Sequence, residues 1–599
     1  MDAVLIVFMS GRKAFAYGLS DESLVEIDRT KLSDHLFLKQ APHIQFHMII
    51  CNSEKLFVSL SVEVKANPMK GMKYPIGIQN FEQIITDGYA YVDKTALIYQ
   101  LATTGKIYFL SRPRRFGKSL LVSTLKYYFK GKKELFKGLA IDAQEKDWLE
   151  YPVFHLDFNG EDFTQTGVLE KKIEKFLADQ EDIYGRNPNS QTTGDRFNDV
   201  LQAAHKQYGR RAVVLIDEYD KPILDVLDTG RSITMEGEKQ LLEDHHRNIL
   251  KGFYSVFKAA DEHLQFVLLT GVTKFSQVSV FSGFNQPSDI SMDPRYETLC
   301  GITSEELYHY FAEAIAEMAE SYSCSAEEMK DWLKRQYDGY HFSRRMTDIY
   351  NPFSLLNAMA SQNILDYWFR SGTPSYLIRL LNHTNENLNE LTGKYYDPSQ
   401  FIDYKADVEM PLPMIFQSGY LTIKDCDWEM NSYLLDFPNN EVKKGFVTMV
   451  ATSYLKSKTD AGSWARDAVK ALKVGDLDLF RKLLTSFLAE IPYSMRRKED
   501  ERERERYFHY TFYLLMRIVS CYTVYTEKQQ SEGRVDCIIE TPGYIYVFEF
   551  KLDGTADEAL AQIGRKGYAR PYEADARKLF KVGISFSSNT GTVEDWKVE

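Results

Sequence analysis

The sequence predicts an α/β fold for the first half of the chain, with a mostly parallel sheet. It also predicts a mainly helical middle region and a C-terminal unit with the element order αβββαβ. Two observations carry these predictions. Apolar runs of strand length alternate with helix-length segments over residues 74–300, as they do in parallel sheets. Three strand-like runs then stand between helix-like segments over residues 507–586, where a last strand-like run follows.

The composition is typical of a globular protein with several domains. The chain has 599 residues, of which 44% are hydrophobic and 26% charged, and its net charge is −12. Such a length predicts about two to four domains. A negative total does not exclude nucleic-acid binding, because only the local field at the contact matters. Six cysteines without a CxxC pair favour neither zinc nor a disulfide framework and fit a reducing cytoplasm. No apolar run approaches the ~20 residues that span a bilayer, so we expect no membrane contact.

One stretch organises the first domain, Ile107–Ser119, with the sequence IYFLSRPRRFGKS. A strand-like run leads into a tight loop, and a helix-like segment follows, whose N-terminal N–H groups attract phosphate. Gly117 lets the backbone approach a phosphate, Lys118 reaches the β- and γ-phosphates, and Ser119 ligates Mg²⁺. The full motif has a glycine where this chain has Arg112. A basic loop before an ordinary helix is therefore the alternative.

A second motif, Ala212–Asp217 followed by Glu218, favours the phosphate-binding interpretation. The residues before Asp217 are apolar throughout, as a strand buried on both faces should be. A carboxylate at the carboxyl end of such a strand holds Mg²⁺ beside a phosphate loop. Glu218 is then placed to orient and deprotonate the attacking water. The alternative is a strand that ends in acids at a solvent edge. Together the two motifs predict ATP and Mg²⁺ as ligands.

A third parallel strand is predicted at Phe266–Thr270, and polar residues follow it. A polar side chain at the end of the strand beside Asp217 would face the γ-phosphate, so Thr270, Thr273 and Lys274 are sensor candidates. A helix cap and a surface lysine are the alternatives. Helices are predicted at 167–181, 195–208 and 235–260. The residues expected to contact the nucleotide are Arg115, Phe116, Gly117, Lys118, Ser119, Leu120 and Thr270.

The C-terminal unit contains a second group of chemically suited residues. Strand side chains alternate, so Glu549 and Lys551 share one face while Phe550 packs on the other. Asp536, on the adjacent strand, reaches the same place across a hairpin. Two carboxylates would hold Mg²⁺, and the lysine would position or activate a water, which phosphodiester hydrolysis requires. A cross-strand salt bridge is the alternative. Gln562 on the following helix is either a fourth member or a surface residue.

These residues carry a resemblance to two known families. The motifs of the first domain resemble the AAA-ATPase-like domain family of prokaryotic proteins over residues 74–300, and residues 507–586 resemble the PD-(D/E)XK nuclease superfamily. The second resemblance implies a restriction-endonuclease-like fold with its signature at Asp536, Glu549 and Lys551. The motifs of the first domain that carry its resemblance are Tyr74–Gly77, Val92–Thr95, Ser111–Ser119, Leu215–Asp220 and Thr270–Ser276.

The resemblance implies a hydrolase with ATP-binding and nuclease modules, acting on nucleic acid with DNA favoured. ATP binding would either gate cleavage or dimerise the sheet domains, so a homo-oligomer is one of the alternatives. Two alternatives remain: a switch whose nuclease fold is an inactive binding module, and a protein-interaction ATPase that binds no DNA. The expected parts are an N-terminal extension (1–68), an AAA-ATPase-like nucleotide-binding domain (69–300), a helical middle region (301–495) and a nuclease-like domain (496–599). In the extension, short strands are expected at Val4–Phe8 and Phe57–Val64, and translation is hypothesised to start near Met69 or Met72.

Overall fold

The computed structural model describes residues 72–235, 237–275, 287–372, 376–377, 391–402, 411–455, 461–489, 523–530 and 533–599, and the backbone of five strands before residue 62. Those five strands form one sheet, which confirms the strand character expected there. Their order in the sheet is Leu24–Ile27, Lys13–Gly18, Leu5–Ser10, His47–Cys51 and Phe57–Ser61.

A second five-stranded sheet, the central sheet, contains the predicted phosphate-loop strand. All its neighbouring strands pair in parallel, which confirms the predicted parallel α/β fold. The register sets Thr270 beside Leu110 and Leu269 beside Ile216. The carboxyl ends of three strands therefore meet at one edge. The strand order is Ser288–Asp289, Ile107–Ser111, Leu264–Gly271, Ala212–Asp217 and Val153–Asp157.

Helices cover both faces of the central sheet. Val213 and Leu215 pack with Leu121 and Leu125 on one face, while Val214 belongs to the hydrophobic cluster on the other. Because successive strand residues point to opposite faces, the strand that ends at Asp217 has to be apolar throughout. The helices of this part are Phe81–Thr86, Thr95–Thr104, Lys118–Phe129, Ala140–Gln144, Val168–Tyr184, Thr193–Tyr208, Lys221–Leu224, Leu242–Tyr254 and Val256–Ala259.

The helix predicted over 235–260 is wrong in its first part. Ser232–Met235 and Glu238–Leu241 form an antiparallel hairpin, and the helix begins only at Leu242. Gly237 has φ of +89°, a conformation that glycine adopts without steric cost. A turn at Gly237 closes the hairpin, and this turn replaces the first helical turns. The two earlier helices, predicted at 167–181 and 195–208, are confirmed.

The middle region is mainly helical, as predicted. Two of its helices begin with a capping box, in which Thr303 with Glu306 and Ser325 with Glu328 satisfy each other's backbone N–H groups. Short strands punctuate the helices at Ile302–Thr303, Ile349–Tyr350, Lys394–Tyr396, Thr422–Asp427 and Ser432–Asp436. The helices described in this region are Ser304–Tyr310, Ala312–Ser321, Ala326–Tyr337, Pro352–Ser361, Tyr367–Arg370, Pro398–Phe401, Leu412–Gln417, Asn440–Leu455, Ala461–Val474 and Leu477–Ala489.

The C-terminal unit is a five-stranded sheet with one described helix, Ala556–Arg565. Its strands follow the chain order, and only Tyr544–Leu552 and Lys578–Phe586 pair in parallel. The predicted βββαβ run is confirmed, and a further strand, Val593–Val598, adds to its edge. The first helix of the predicted αβββαβ order, expected at 507–519, lies outside the described residues. The remaining strands are Thr523–Gln530 and Gly533–Glu540.

Helices pack on both faces of the C-terminal sheet. On one face, Ile545 and Val547 pack with Leu560 and Ile563 of the helix Ala556–Arg565. The last two helices of the middle region pack on the other face. In one contact there, the Tyr546 hydroxyl donates to the Leu472 carbonyl at 2.6 Å. Within the described part of the chain, no helix combines the length and the apolar character needed to cross a membrane.

Candidate active sites

The predicted phosphate loop connects the strand Ile107–Ser111 to the helix Lys118–Phe129. Gly117 caps this helix with φ of +94°, and a Cβ added there would meet nothing within 4 Å. The backbone therefore requires glycine for its conformation, and the space in front of it is open. The free N–H groups of the helix N-terminus give this loop the positive potential that phosphate requires.

Lys118 is buried inside the loop, with 3% of its side chain exposed. Its ammonium donates to the carbonyls of Arg112 at 3.1 Å and Pro113 at 3.3 Å. It also lies 3.3 Å from Oε1 of Glu218. The lysine thus joins the loop to the acidic strand.

Arg112 stands where the motif has its first glycine, and it does not point into the loop. Its guanidinium is buried and donates to the carbonyls of Ser291 at 2.7 Å and Tyr296 at 3.3 Å. It also stacks on the Phe342 ring at 4.1 Å, and burial lowers its pKa to about 10. Arg112, the residue that departs from the motif, therefore anchors the start of the loop to the rest of the domain.

The acidic strand ends in a buried carboxylate. Asp217 is 2% exposed, and its Oδ1 accepts a hydrogen bond from the Thr270 hydroxyl at 2.5 Å. Thr270 thus lies beside Asp217, as predicted, but its hydroxyl is fully buried and occupied by that carboxylate. Glu218 follows with φ of +53°, a strained conformation for a residue with a side chain. This backbone conformation directs the Glu218 side chain away from the strand and towards Lys118.

Asp220 was not predicted as a site residue, although it is the last residue of the motif Leu215–Asp220. It is fully buried. Its Oδ2 accepts hydrogen bonds from the N–H of Val272 at 3.0 Å and from the N–H and hydroxyl of Thr273 at 2.6 and 2.7 Å. Burial and the neighbouring Glu218 raise its pKa to about 7. Asp220 therefore fastens the acidic turn to the loop after the third strand.

Lys274, another of the predicted sensor candidates, forms an ion pair with Asp289 at 3.0 Å.

An apolar cavity of about 100 Å³ opens beside Gly117. Phe116 and Leu120 line it, while Arg115 points elsewhere and stacks on the Phe353 ring at 4.9 Å. The Phe116 side chain is buried and also packs edge-on against Tyr340. The remaining lining residues are Pro75, Ala90, Tyr91, Val92, Lys94, Ile98, Leu121, Thr124, Leu299, Cys300, Gly301, Ile302, Phe311, Pro352 and Leu356.

The C-terminal carboxylates lie on neighbouring strands. The antiparallel register sets Cys537 opposite Phe548, so the next pair along the strands is Asp536 and Glu549. Oδ2 of Asp536 accepts a hydrogen bond from the Phe550 N–H at 2.8 Å. The hairpin thus brings the two predicted carboxylates together on one face of the sheet.

Gln562 joins the other two members of this group. Its side-chain carbonyl accepts a hydrogen bond from the Lys551 ammonium at 2.8 Å, and its amide donates to Oε1 of Glu549. Gln562 is therefore part of the site and not an isolated surface residue. The helix Ala556–Arg565 supplies it.

Two family models match separate parts of this chain. Residues 75–281 match the family model described as "Predicted AAA-ATPase", and residues 503–596 match that of the PD-(D/E)XK nuclease superfamily. A protein of Azotobacter chroococcum mcd 1 named "Uncharacterized protein in vnfD 5'region" is 35% identical over 537 residues, which are 89% of this chain and 99% of that protein. The chain belongs to the AAA-ATPase-like family. It joins an AAA-ATPase-like domain to a C-terminal PD-(D/E)XK nuclease superfamily domain.

The carboxylate pair of the PD-(D/E)XK domain has the properties of a cation site. Glu549 is 1% exposed, and burial together with the Asp536 charge raises its pKa to about 8. Its Oε2 is buried and has no hydrogen-bond partner among the residues that the structure describes. A divalent cation would satisfy that oxygen and lower the pKa. Across the described ranges, no group of three or more His, Cys, Asp and Glu side chains forms such a site, so water or phosphate oxygens would complete the coordination.

The AAA-ATPase-like domain likewise has the groups that suit a nucleoside triphosphate. Open space faces Gly117, a buried ammonium lies at Lys118, and two carboxyl groups follow at the edge of the sheet. Ser119 is the second residue of the loop helix and is partly exposed. The predicted loop and acidic residues are therefore brought together, whereas Arg115, Thr270 and Lys274 turn to other partners.

Proposed function

We propose that this chain hydrolyses ATP at the phosphate loop. Gly117 and the N–H groups of the helix N-terminus would bind the phosphates, Lys118 would neutralise their charge, and Ser119 with Asp217 would hold Mg²⁺. When bound, the metal would neutralise charge on the phosphate oxygens. Glu218 would orient and deprotonate the attacking water. The contact between Lys118 and Glu218 at 3.3 Å carries this proposal, because it joins the phosphate-binding and water-activating groups.

We further propose that the apolar cavity beside Gly117 receives the adenine base. Its walls are mainly aliphatic and aromatic, which suits the faces of a flat aromatic heterocycle. It borders the loop at Phe116 and Leu120, so a base there would leave the triphosphate over the helix N-terminus.

For the C-terminal domain we propose metal-dependent cleavage of nucleic-acid phosphodiesters, with DNA as the substrate. Asp536 and Glu549 would hold Mg²⁺, which would supply Lewis-acid assistance at the phosphate. Lys551 would position the attacking water, and Gln562 would hold Lys551 and Glu549 in register. The strongest support is Oε2 of Glu549, which is buried beside a second carboxylate and has no partner within the described part of the chain.

We assign the protein to the cytoplasm. The described cysteines Cys300, Cys324, Cys426 and Cys537 are free thiols, which suits a reducing compartment. Nucleotide-dependent self-association is part of the proposal, and light scattering with and without ATP would measure it.

A metal-dependent nuclease assay on plasmid and single-stranded DNA, with and without ATP, tests both activities. We expect Lys551→Ala to lose cleavage by at least about 100-fold while it retains ATP hydrolysis. Lys118→Ala is expected to lose ATP binding. Cleavage by Lys551→Ala at the wild-type rate, or tight ATP binding by Lys118→Ala, would contradict the assigned sites.

One observation favours a second function, in which the nuclease fold binds nucleic acid without cutting it. Gln562 ties Lys551 and Glu549 together, so the group is satisfied in part without substrate. DNA binding without cleavage in both Mg²⁺ and Mn²⁺ would support this switch-like function over the nuclease.

A further inference from the structure

The middle region contacts the phosphate loop through one tryptophan. The Trp368 indole N–H donates to the Arg114 carbonyl at 3.0 Å. Trp368 is 5% exposed, and its ring packs against Tyr420, with 5.0 Å between the ring centroids. The hydrogen bond therefore joins a buried side chain of the middle region to the backbone of the loop itself.

This contact fixes the direction of a loop amide. Every described peptide bond is trans, so the carbonyl of Arg114 and the N–H of Arg115 point in opposite directions. A donor on the carbonyl side holds the Arg115 N–H towards the other side of the loop. A phosphate loop binds its ligand through such N–H groups, and their orientation must be set before the ligand arrives.

Trp368 is itself held in place by a buried carboxyl group. Its backbone N–H donates to Oε1 of Glu441 at 2.6 Å and also approaches the Ser354 hydroxyl at 3.2 Å. Glu441 is 1% exposed and lies in the first turn of the helix Asn440–Leu455. Burial raises its pKa to about 7. A group that is costly to bury is thus retained where it fastens the short helix that carries Trp368.

We infer that Trp368 is a positioning residue for nucleotide binding, and that Glu441 holds it against the phosphate loop. This inference rests on the proposed ATP site and gives the middle region a part in it. Trp368 touches no phosphate. It acts by keeping the Arg114 carbonyl satisfied and the Arg115 N–H presented to the ligand.

Trp368→Phe in the full chain tests the inference, since phenylalanine retains an aromatic ring and loses the donor. We expect the Kd for a fluorescent ATP analogue to rise about ten-fold, which corresponds to about 1.4 kcal/mol for one unsatisfied carbonyl. The KM for ATP should rise with it, while kcat changes much less, because Glu218 and Asp217 are untouched.

Trp464→Phe is the matched control. The Trp464 indole is equally buried and donates to the Leu483 carbonyl at 2.9 Å, a bond of the same kind between two helices. We expect it to leave the Kd unchanged at a comparable loss of thermal stability. Glu441→Gln keeps an acceptor for the Trp368 N–H and should retain affinity, whereas Glu441→Ala should weaken it.

An unchanged Kd in Trp368→Phe, or equal losses in Trp368→Phe and Trp464→Phe, would overturn the inference and leave the ATP site standing. If the wild-type chain binds no nucleotide at all, the proposed ATP site fails and the inference fails with it. The two failures are therefore distinguishable by the wild-type measurement.

Discussion

Three of the buried carboxyl groups with a proposed role have a raised pKa. Burial raises the pKa of Glu549 to about 8 and those of Asp220 and Glu441 to about 7. In Glu549 the charge of Asp536 adds to this effect, and in Asp220 that of Glu218 does so. Burial of a charge costs free energy unless neighbours compensate it. Each group is retained where backbone N–H groups, hydroxyls or a bound cation would stabilise its charged form.

Glu549→Gln is expected to stabilise the metal-free protein at alkaline pH. The native carboxyl titrates near pH 8, against a reference pKa of 4.5, so the native state binds the proton more tightly than the unfolded chain. The stability contributed by Glu549 is then complete below about pH 4.5 and is lost as the pH rises through 8. Chemical denaturation with a chelator should show the variant at least about 1 kcal/mol more stable at pH 8.5.

At pH 4.5 the same variant and the wild type should have nearly equal free energies of unfolding. Glu594→Gln, an exposed change on the last strand, is the control and should show no such pH dependence. A Glu549→Gln protein that is no more stable than wild type at pH 8.5 would contradict the buried-carboxyl interpretation.

At the scale of elements, one glycine sets the distance between the C-terminal helix and its sheet. Gly583 lies opposite Glu549 in the parallel register, and a Cβ there would overlap the Ala556 carbonyl oxygen and lie 3.0 Å from Leu560. Without a side chain at this position, the helix Ala556–Arg565 lies close enough for Gln562 to reach Glu549. Glycine is thus needed here for close approach.

Gly583→Ala is expected to destabilise the protein by about 1–3 kcal/mol, because overpacking forces the helix off the sheet. Cleavage should fall as well, since Gln562 moves with the helix. Urea unfolding and the nuclease assay measure the two effects.

Gly564→Ala provides the control on the same helix, because a Cβ there meets nothing within 4 Å. It should be neutral or should stabilise by about 0.5–1 kcal/mol, since alanine favours helix. If the two variants behave alike, close packing at Gly583 is not what positions the helix.

At the scale of the whole molecule, one hydrophobic cluster extends from the central sheet through the middle region to the C-terminal sheet. Phe480, on the helix Leu477–Ala489, is fully buried, and its ring lies 6.2 Å from the rings of Phe548 and Trp596. Phe548 directly precedes Glu549. The nuclease sheet therefore depends on helices of the middle region for one of its faces.

Phe480→Ala is expected to cost about 3–5 kcal/mol, through lost burial and the cavity left behind. The effect should appear as a lower unfolding temperature and reduced cleavage. Nucleotide affinity should stay the same, because the ring contacts of Phe480 lie in the C-terminal sheet. Leu479→Ala, at a 42% exposed neighbour, serves as the control with little effect. Loss of ATP binding in Phe480→Ala would contradict this division of roles.

Much of the fold was predictable because its signals are local. The continuous apolar run Ala212–Ile216 and the loop before Lys118 identified the parallel sheet, and alternation along Tyr544–Leu552 placed Glu549 and Lys551 on one face. The hairpin before Leu242 was not predicted, because its pattern of apolar residues also suits a helix and only the turn at Gly237 separates the two. The edge strand Val593–Val598 was missed as well.

The sequence by itself indicated the candidate residues, since the spacing of the loop, of the acidic strand and of Asp536, Glu549 and Lys551 follows from strand and helix periods. The tertiary structure alone decided which groups support them. Arg112 as an anchor, Asp220 as a fastening, Gln562 as a bridge and Trp368 as a donor to the loop all act across elements far apart in the chain. Such contacts have no sequence period, because they depend on how packed elements meet and on which buried carbonyls and carboxylates need a partner.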